Sequence, residues 1–151
     1  MKVANGIVMS KLTYLITVWG GSQEYLLQQL MAARAVTGFG SKFWSKMKLL
    51  DHVKWLSVRQ LVFYHTVLQT HKTLSSKKPK ALYQSLSSDY PYRTRSSVAG
   101  HIRENIDFNK KGFKYRARQN YNMVPEDIRN GSIQTVKKNL KKWVKQNIPI
   151  D

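Results

Sequence analysis

The segment from residue 133 to residue 150 limits most tightly what this chain can fold into. Its apolar side chains recur every three or four residues, which predicts an amphipathic helix with an apolar arc of roughly 140° at about 100° per residue. These side chains are Ile133, Val136, Leu140, Trp143, Val144 and Ile148. A neighbouring arc holds Lys137, Lys138, Lys141, Lys142 and Lys145. The helix must therefore bury one side while its lysine side stays in solvent.

The lysine side of this helix has two interpretations. It can be a solvated surface that keeps the domain soluble, or it can contact phosphate groups. Solvated helices usually interleave Glu with Lys at i,i+4 spacing, which supports the helix. No acidic residue lies among these lysines, so we prefer phosphate contact.

Most of the remaining chain also has helical patterning. A helix from about residue 22 to 36, with Ser22 as N-cap, would place Leu26, Leu27, Leu30 and Met31 on one side. Further helices are predicted at 45–56, at 57–74 and at 79–86. Residues 7–18 form an apolar run that is either a buried helix or a strand, because periodicity alone does not decide.

The helix predicted at 57–74 begins with a recognisable signal. Ser57 and Gln60 have the spacing of a capping box, and the apolar side that follows includes His65. A core histidine is the favoured interpretation of His65 over a metal ligand. The whole pattern predicts a mainly α fold, a helical bundle of about six helices with an irregular basic linker, which can also divide into two small helical sub-domains.

Composition divides the chain into three predicted regions: a helical region at 1–76, a hinge and irregular linker at 77–112, and a basic C-terminal helical region at 113–151. Lys and Arg number 26 against 8 acids, for a net charge of +18, and 17 of the 26 follow residue 76. Such a charge favours a polyanionic partner, with nucleic acid ahead of an anionic membrane surface.

Sequence features also bear on location. No apolar run approaches the roughly 18 to 20 residues that would span a bilayer, so no membrane partner is expected. The first apolar segment lacks the long apolar centre and the cleavage site of a signal peptide. We therefore expect an intracellular protein, nuclear or cytoplasmic. The absence of cysteine excludes disulfides and cysteine metal sites.

A second basic cluster is interleaved with aromatic residues. It comprises Lys110, Lys111, Phe113, Lys114, Tyr115, Arg116, Arg118 and Tyr121. A helix would make Phe113 and Tyr121 core, whereas a strand would alternate aromatic and basic side chains; the spacing favours the helix. Arg93 and Arg95, beside tyrosines in the linker, give a weaker version of the same signal. Lys110, Lys111, Lys114, Arg118, Arg93 and Arg95 thus join the five helix lysines as candidate nucleic-acid contacts.

The carboxylates argue against catalysis. Nucleotidyl transfer with two metal ions needs at least two acids brought together. The adjacent acids here are Glu126 and Asp127, directly after Pro125, where a helix first turn prefers acids. The histidines show no metal-ligand spacing. We therefore predict no catalytic residue, no metal site and no cofactor.

Several motifs, in order, resemble the segment that follows the polymerase palm in reverse transcriptases of non-long-terminal-repeat retrotransposons, especially the jockey-like group. A tyrosine-bearing helix ends in Trp19-Gly20, and Arg34-Ala35 follows in the next helix. Later come Trp55-Leu56-Ser57-Val58-Arg59, His71-Lys72, Thr94-Arg95, residues 113–117, and the Asn-x-x-Pro of residues 122–125 with Arg129 after it. The resemblance runs over nearly the whole chain.

The resemblance implies a mainly α-helical thumb at 1–76 and a post-polymerase region that grips a template–primer duplex or element RNA. The family's catalytic aromatic-Ala-Asp-Asp motif belongs to the palm and is absent from this sequence, so reverse transcription is not expected of these residues alone. The first hypothesis is thus a fragment of an RNA-directed DNA polymerase with nonspecific nucleic-acid affinity. The alternative is a catalytically dead helical remnant that binds a protein partner, such as a polymerase palm, or associates with itself. A helix-turn-helix DNA-binding module, with Ser132 capping the basic helix, is a third possibility.

Overall fold

The computed structural model describes residues 5–14, 16–19, 24–38, 44–87 and 112–150. Within these ranges there is no β-strand, and the chain is mainly helical. A π-helical turn, Asn5–Met9, leads into α1 (Ser10–Thr13), α2 (Ile16–Trp19), α3 (Glu24–Thr37), α4 (Lys46–His52), α5 (Val58–Ser76), α6 (Lys80–Leu86), α7 (Phe113–Met123), α8 (Glu126–Arg129) and α9 (Ile133–Asn147). The predicted mainly α fold class is confirmed, and a helical bundle is consistent with it.

The chain divides into two compact units. One comprises Met1–Phe63 and Val144–Asp151, and the other comprises Tyr64–Trp143. The predicted linker at 77–112 is described only at 77–87 and at Gly112, so its irregular character stays a prediction. The Ser22 cap also lies outside the described residues.

The first unit is held by an apolar cluster between α3 and α4. Its buried members are Leu30, Ala33, Leu49, Leu50, Val53 and Trp55, with Met9, Ala32, Val36 and Ile150 packed against them. Helix α3 buries only part of the side that was predicted to be buried, because Leu27 is 61% exposed and Met31 is 67% exposed. Gln29 is fully buried instead, where its amide donates to the carbonyl of Leu56 at 2.7 Å.

Helix α4 ends four residues before the predicted end. Ser45 caps its start by accepting a hydrogen bond from the backbone N–H of Lys48. At its end Lys54 adopts a left-handed conformation with φ of 58°. The N–H of Lys54 donates to the carbonyl of Asp51 and the N–H of Trp55 to that of Leu50. This is the Schellman arrangement, in which a left-handed residue satisfies the last carbonyls of a helix.

The capping box that begins α5 is confirmed. The N–H of Ser57 donates to the Gln60 side-chain oxygen at 3.1 Å, and the N–H of Gln60 donates to the Ser57 hydroxyl at 3.2 Å. The Gln60 amide group also donates to the carbonyl of Ile148 at 2.8 Å. One buried side chain therefore caps the start of α5 and holds the chain just after α9.

The second unit is built around the rest of α5. From Tyr64 to Thr73 every residue of this helix is buried except His65, Gln69 and Lys72. Helix α6 packs against α7, and the buried apolar residues of the unit include Val67, Leu68, Leu86, Ala117, Val124, Val136 and Leu140. Ser132 caps α9 by accepting a hydrogen bond from the N–H of Thr135, as predicted.

Candidate nucleic-acid interface

Helix α9 carries the clearest basic surface of the described chain. Its predicted apolar side is largely buried, with Val136, Leu140 and Val144 at most 1% exposed and Ile148 buried just beyond the helix. Trp143 is half-buried, whereas Ile133 is exposed. Lys137, Lys138, Lys141 and Lys142 are all exposed. We call these four residues the α9 lysine face.

The ammonium groups of the α9 lysine face repel one another. Lys137 and Lys141 lie four residues apart, as do Lys138 and Lys142, and each such like-charge pair destabilises a helix by about 0.2 to 0.5 kcal/mol. Among the described residues the ion pairs join Arg129 to Glu126 and Lys145 to Asp51, and neither involves this face. A bound anion would therefore relieve a repulsion that the neighbouring side chains do not offset.

Lys145 differs from the other four predicted lysines of α9. Its ammonium group lies 3.2 Å from a carboxylate oxygen of Asp51, although both side chains retain substantial exposure. The contact ties the last turn of α9 to α4 within the first unit. Since an exposed ion pair contributes little to stability, Lys145 can still exchange Asp51 for another anion, but its charge is partly neutralised.

From Phe113 onward the second predicted basic cluster is helical, as the spacing indicated. Helix α7 buries Ala117 fully, with Phe113 and Tyr121 half-buried on it. Arg118 lies against the end of α6, where its guanidinium donates to the carbonyls of Ser85 and Leu86. Those carbonyls have no partner within α6, and a cation is favoured at a helix C-terminus. Arg118 therefore has a structural role in this arrangement.

The other candidates of this cluster are placed less fully. Lys114 is half-buried on α7. Lys110, Lys111, Arg93 and Arg95 lie outside the described residues, so their predicted contact with nucleic acid stays a prediction. The structure thus brings together the α9 lysines and places Arg118 against the carbonyls of Ser85 and Leu86. The predicted contact of Arg118 with nucleic acid stays a prediction.

The helix interpretation of the cluster around α7 predicted that Tyr121 packs in the core. Tyr121 faces other side chains: its hydroxyl lies 3.4 Å from Nδ1 of His71, the two rings stack, and the Arg129 guanidinium lies 5.4 Å from the centre of the tyrosine ring. Burial raises the pKa of Tyr121, an effect that Arg129 opposes, and burial lowers the pKa of His71. These three residues form a packed cluster of the second unit.

His65 on α5 is affected by the charge of Lys137, which belongs to the α9 lysine face. Burial lowers the pKa of His65, and the positive charges of Lys72 and Lys137 lower it further. Sequence reasoning assigned His65 to the core and gave Lys72 no role in binding. The missed signal was the spacing of His65 and Lys72, seven residues apart and hence on one side of a helix.

The acidic residues occupy structural positions. Glu126 and Asp127 lie in the first turn of α8, as predicted from the preceding Pro125, and Glu126 lies 3.7 Å from Arg129. In the described ranges no three His, Asp or Glu side chains come close enough to hold a metal ion. None of the helices described there is long and apolar enough to cross a membrane.

No known protein family, curated protein or solved structure matches this chain.

Proposed function

We propose that this chain binds nucleic acid without sequence specificity, through phosphate contacts of the α9 lysine face. The observation that carries the proposal is the exposure of four lysines on a helix that holds no acid and whose apolar side is largely buried. Phosphate contacts carry no sequence information, and they provide most of nonspecific affinity. The order of motifs supports a template–primer duplex or element RNA as the ligand, gripped by a region like the thumb of a retrotransposon reverse transcriptase. No catalytic step is assigned to the chain, and the proposed site of action is nuclear or cytoplasmic.

The test is binding to a labelled RNA–DNA hybrid over a salt series. Four phosphate contacts predict a slope of log K against log salt concentration of about −3.6, which is roughly a hundredfold loss of affinity between 50 and 200 mM salt. Replacing Lys137, Lys138, Lys141 and Lys142 with Gln removes the like-charge pairs, so helicity should be retained while affinity and slope both fall.

A matched control distinguishes binding through the α9 lysine face from binding through the net charge of the whole chain. Lys46, Lys48, Lys78 and Lys80 are exposed outside α9, and replacing them with Gln changes the net charge by the same amount. If the two quadruple variants lose affinity equally, the chain binds through its overall charge and the proposal for α9 is wrong. Equal binding to phosphatidylserine vesicles would also contradict it, because it would indicate attraction to any polyanion.

The exposed apolar side of α3 supports a second candidate function, self-association. Leu27, Met31 and Ala35 lie on one side at i,i+4 spacing and are exposed. This helix belongs to residues 1–76, which hold 9 of the 26 Lys and Arg, so repulsion between copies is weaker there than at the C-terminal region. Sedimentation equilibrium distinguishes the two candidates. Apolar association should strengthen with salt, and Met31→Glu should abolish it, whereas phosphate binding should weaken with salt.

A further inference from the structure

Helix α5 has one narrow exposed strip in the second unit. Between Tyr64 and Thr73 it is buried except at His65, Gln69 and Lys72. Separations of four and three residues place these side chains one above another along the helix. A ligand can therefore reach this part of α5 only through an imidazole, an amide and an ammonium group, all of which can donate hydrogen bonds.

A second helix contributes charge at the same place. Lys137 of the α9 lysine face acts electrostatically on the His65 ring, as does Lys72 from α5 itself. The ring is half-buried, and that of Tyr64 lies edge-on to it with 5.2 Å between centres. Among the described residues, Lys72 and Lys137 are the charges that perturb His65, and no carboxylate opposes them. The positive charges of Lys72 on α5 and Lys137 on α9 thus both act on His65.

We propose that His65, Lys72 and Lys137 together contact a backbone phosphate, and that His65 takes up a proton when the nucleic acid binds. The inference rests on the proposed function and concerns how pH regulates the binding of nucleic acid to the same surface. In the free chain burial and the two cations keep the imidazole neutral near pH 7. A phosphate held by Lys72 and Lys137 reverses the local field, so the imidazolium form becomes favoured and its second N–H can donate to a phosphate oxygen.

Affinity must then depend on pH. Because bound nucleic acid raises the affinity of His65 for a proton, a proton on His65 raises the affinity of the chain for nucleic acid by the same factor. We expect binding at fixed salt to tighten between pH 7.5 and pH 5.5 by about threefold to tenfold, the range of a single histidine coupled to one phosphate. The phosphodiester charge itself does not change over that interval.

The experiment compares the intact chain with His65→Gln and His52→Gln. His52 is exposed on α4 in the other unit, where its ring lies edge-on to Trp44, so its replacement is a matched control for the loss of one histidine. Anisotropy of a labelled RNA–DNA hybrid at constant salt gives the affinity at pH 5.5, 6.5 and 7.5. We expect the pH dependence to persist in His52→Gln and to be reduced to about twofold or less in His65→Gln.

A second measurement does not depend on the variants. Histidine ring resonances followed by NMR over pH give the pKa of His65 in the intact chain, with and without the hybrid. A pKa that rises on binding supports the proposal, and an unchanged pKa overturns it even if His65→Gln unfolds. Binding with the expected salt slope but equal pH dependence in all three proteins would overturn the proton coupling and leave the α9 proposal standing. Absence of binding at every pH would overturn both.

Discussion

Replacing Gln60 should reveal how much one buried amide contributes to the first unit. Its oxygen accepts from the N–H of Ser57 at 3.1 Å and its nitrogen donates to the carbonyl of Ile148 at 2.8 Å, and all three residues are buried. Gln60→Met has similar volume but can make neither bond. Each buried backbone group left without a partner costs about 1 to 3 kcal/mol. Because two such groups lose their partner, we expect the free energy of unfolding to fall by about 2 to 6 kcal/mol.

The assay is urea denaturation at 25 °C, followed by circular dichroism and by tryptophan fluorescence, because Trp55 lies in the core of the same unit. Gln69→Met is the matched control, since Gln69 is exposed on the same helix, and it should change stability by less than about 0.5 kcal/mol. Amide exchange at Ser57 should also accelerate in Gln60→Met. If the two variants are equally stable, water replaces both hydrogen bonds and the assignment of Gln60 as a structural tie is wrong.

Three further changes in stability are expected, each measurable by the same denaturation. Lys54→Gly should stabilise by up to about 1 kcal/mol, because glycine adopts the left-handed φ of 58° without steric cost; lower stability would contradict this. Thr73→Val should also stabilise by about 1 kcal/mol, because the buried Thr73 hydroxyl has no hydrogen-bond partner in the part of the chain described. Stability should fall as pH drops below 6.5: burial lowers the pKa of His65 and of His71 in the folded chain, so the unfolded chain binds protons first. An unchanged urea midpoint between pH 7.5 and 5.5 would contradict it.

The parts of the fold that sequence predicted well are those set by local spacing. The burial of Val136, Leu140 and Val144 follows from their separation of four residues, which the helix converts directly into one side. The capping box of Ser57 and Gln60 is equally local, since both hydrogen bonds join residues three apart. Neither prediction required knowledge of the packing partner.

The parts that sequence predicted poorly depend on packing partners. On α3 the apolar pattern favoured burial of Leu27 and Met31, yet the cluster with α4 selected the side that carries Gln29. Gln29 can be buried because the Leu56 carbonyl, 27 residues away, accepts its hydrogen bond. The end of α4 was missed for a related reason: Lys54 holds a conformation typical of glycine, so the usual signal for a helix end was absent.

Basic residues also have different structural roles, and composition alone does not distinguish these roles. Arg118 caps α6, and Lys145 pairs with Asp51, although both belong to segments as basic as the α9 lysine face. Each role depends on a carbonyl or carboxylate that is distant in the sequence, 33 residues away for Ser85 and 94 for Asp51. A net charge of +18 therefore overstates the surface that can meet phosphate. The slope of log K against log salt concentration depends only on the cations that neutralise phosphates on binding. We therefore expect a slope that corresponds to about four lysines of α9. A slope that corresponds to the full net charge would contradict this division of roles.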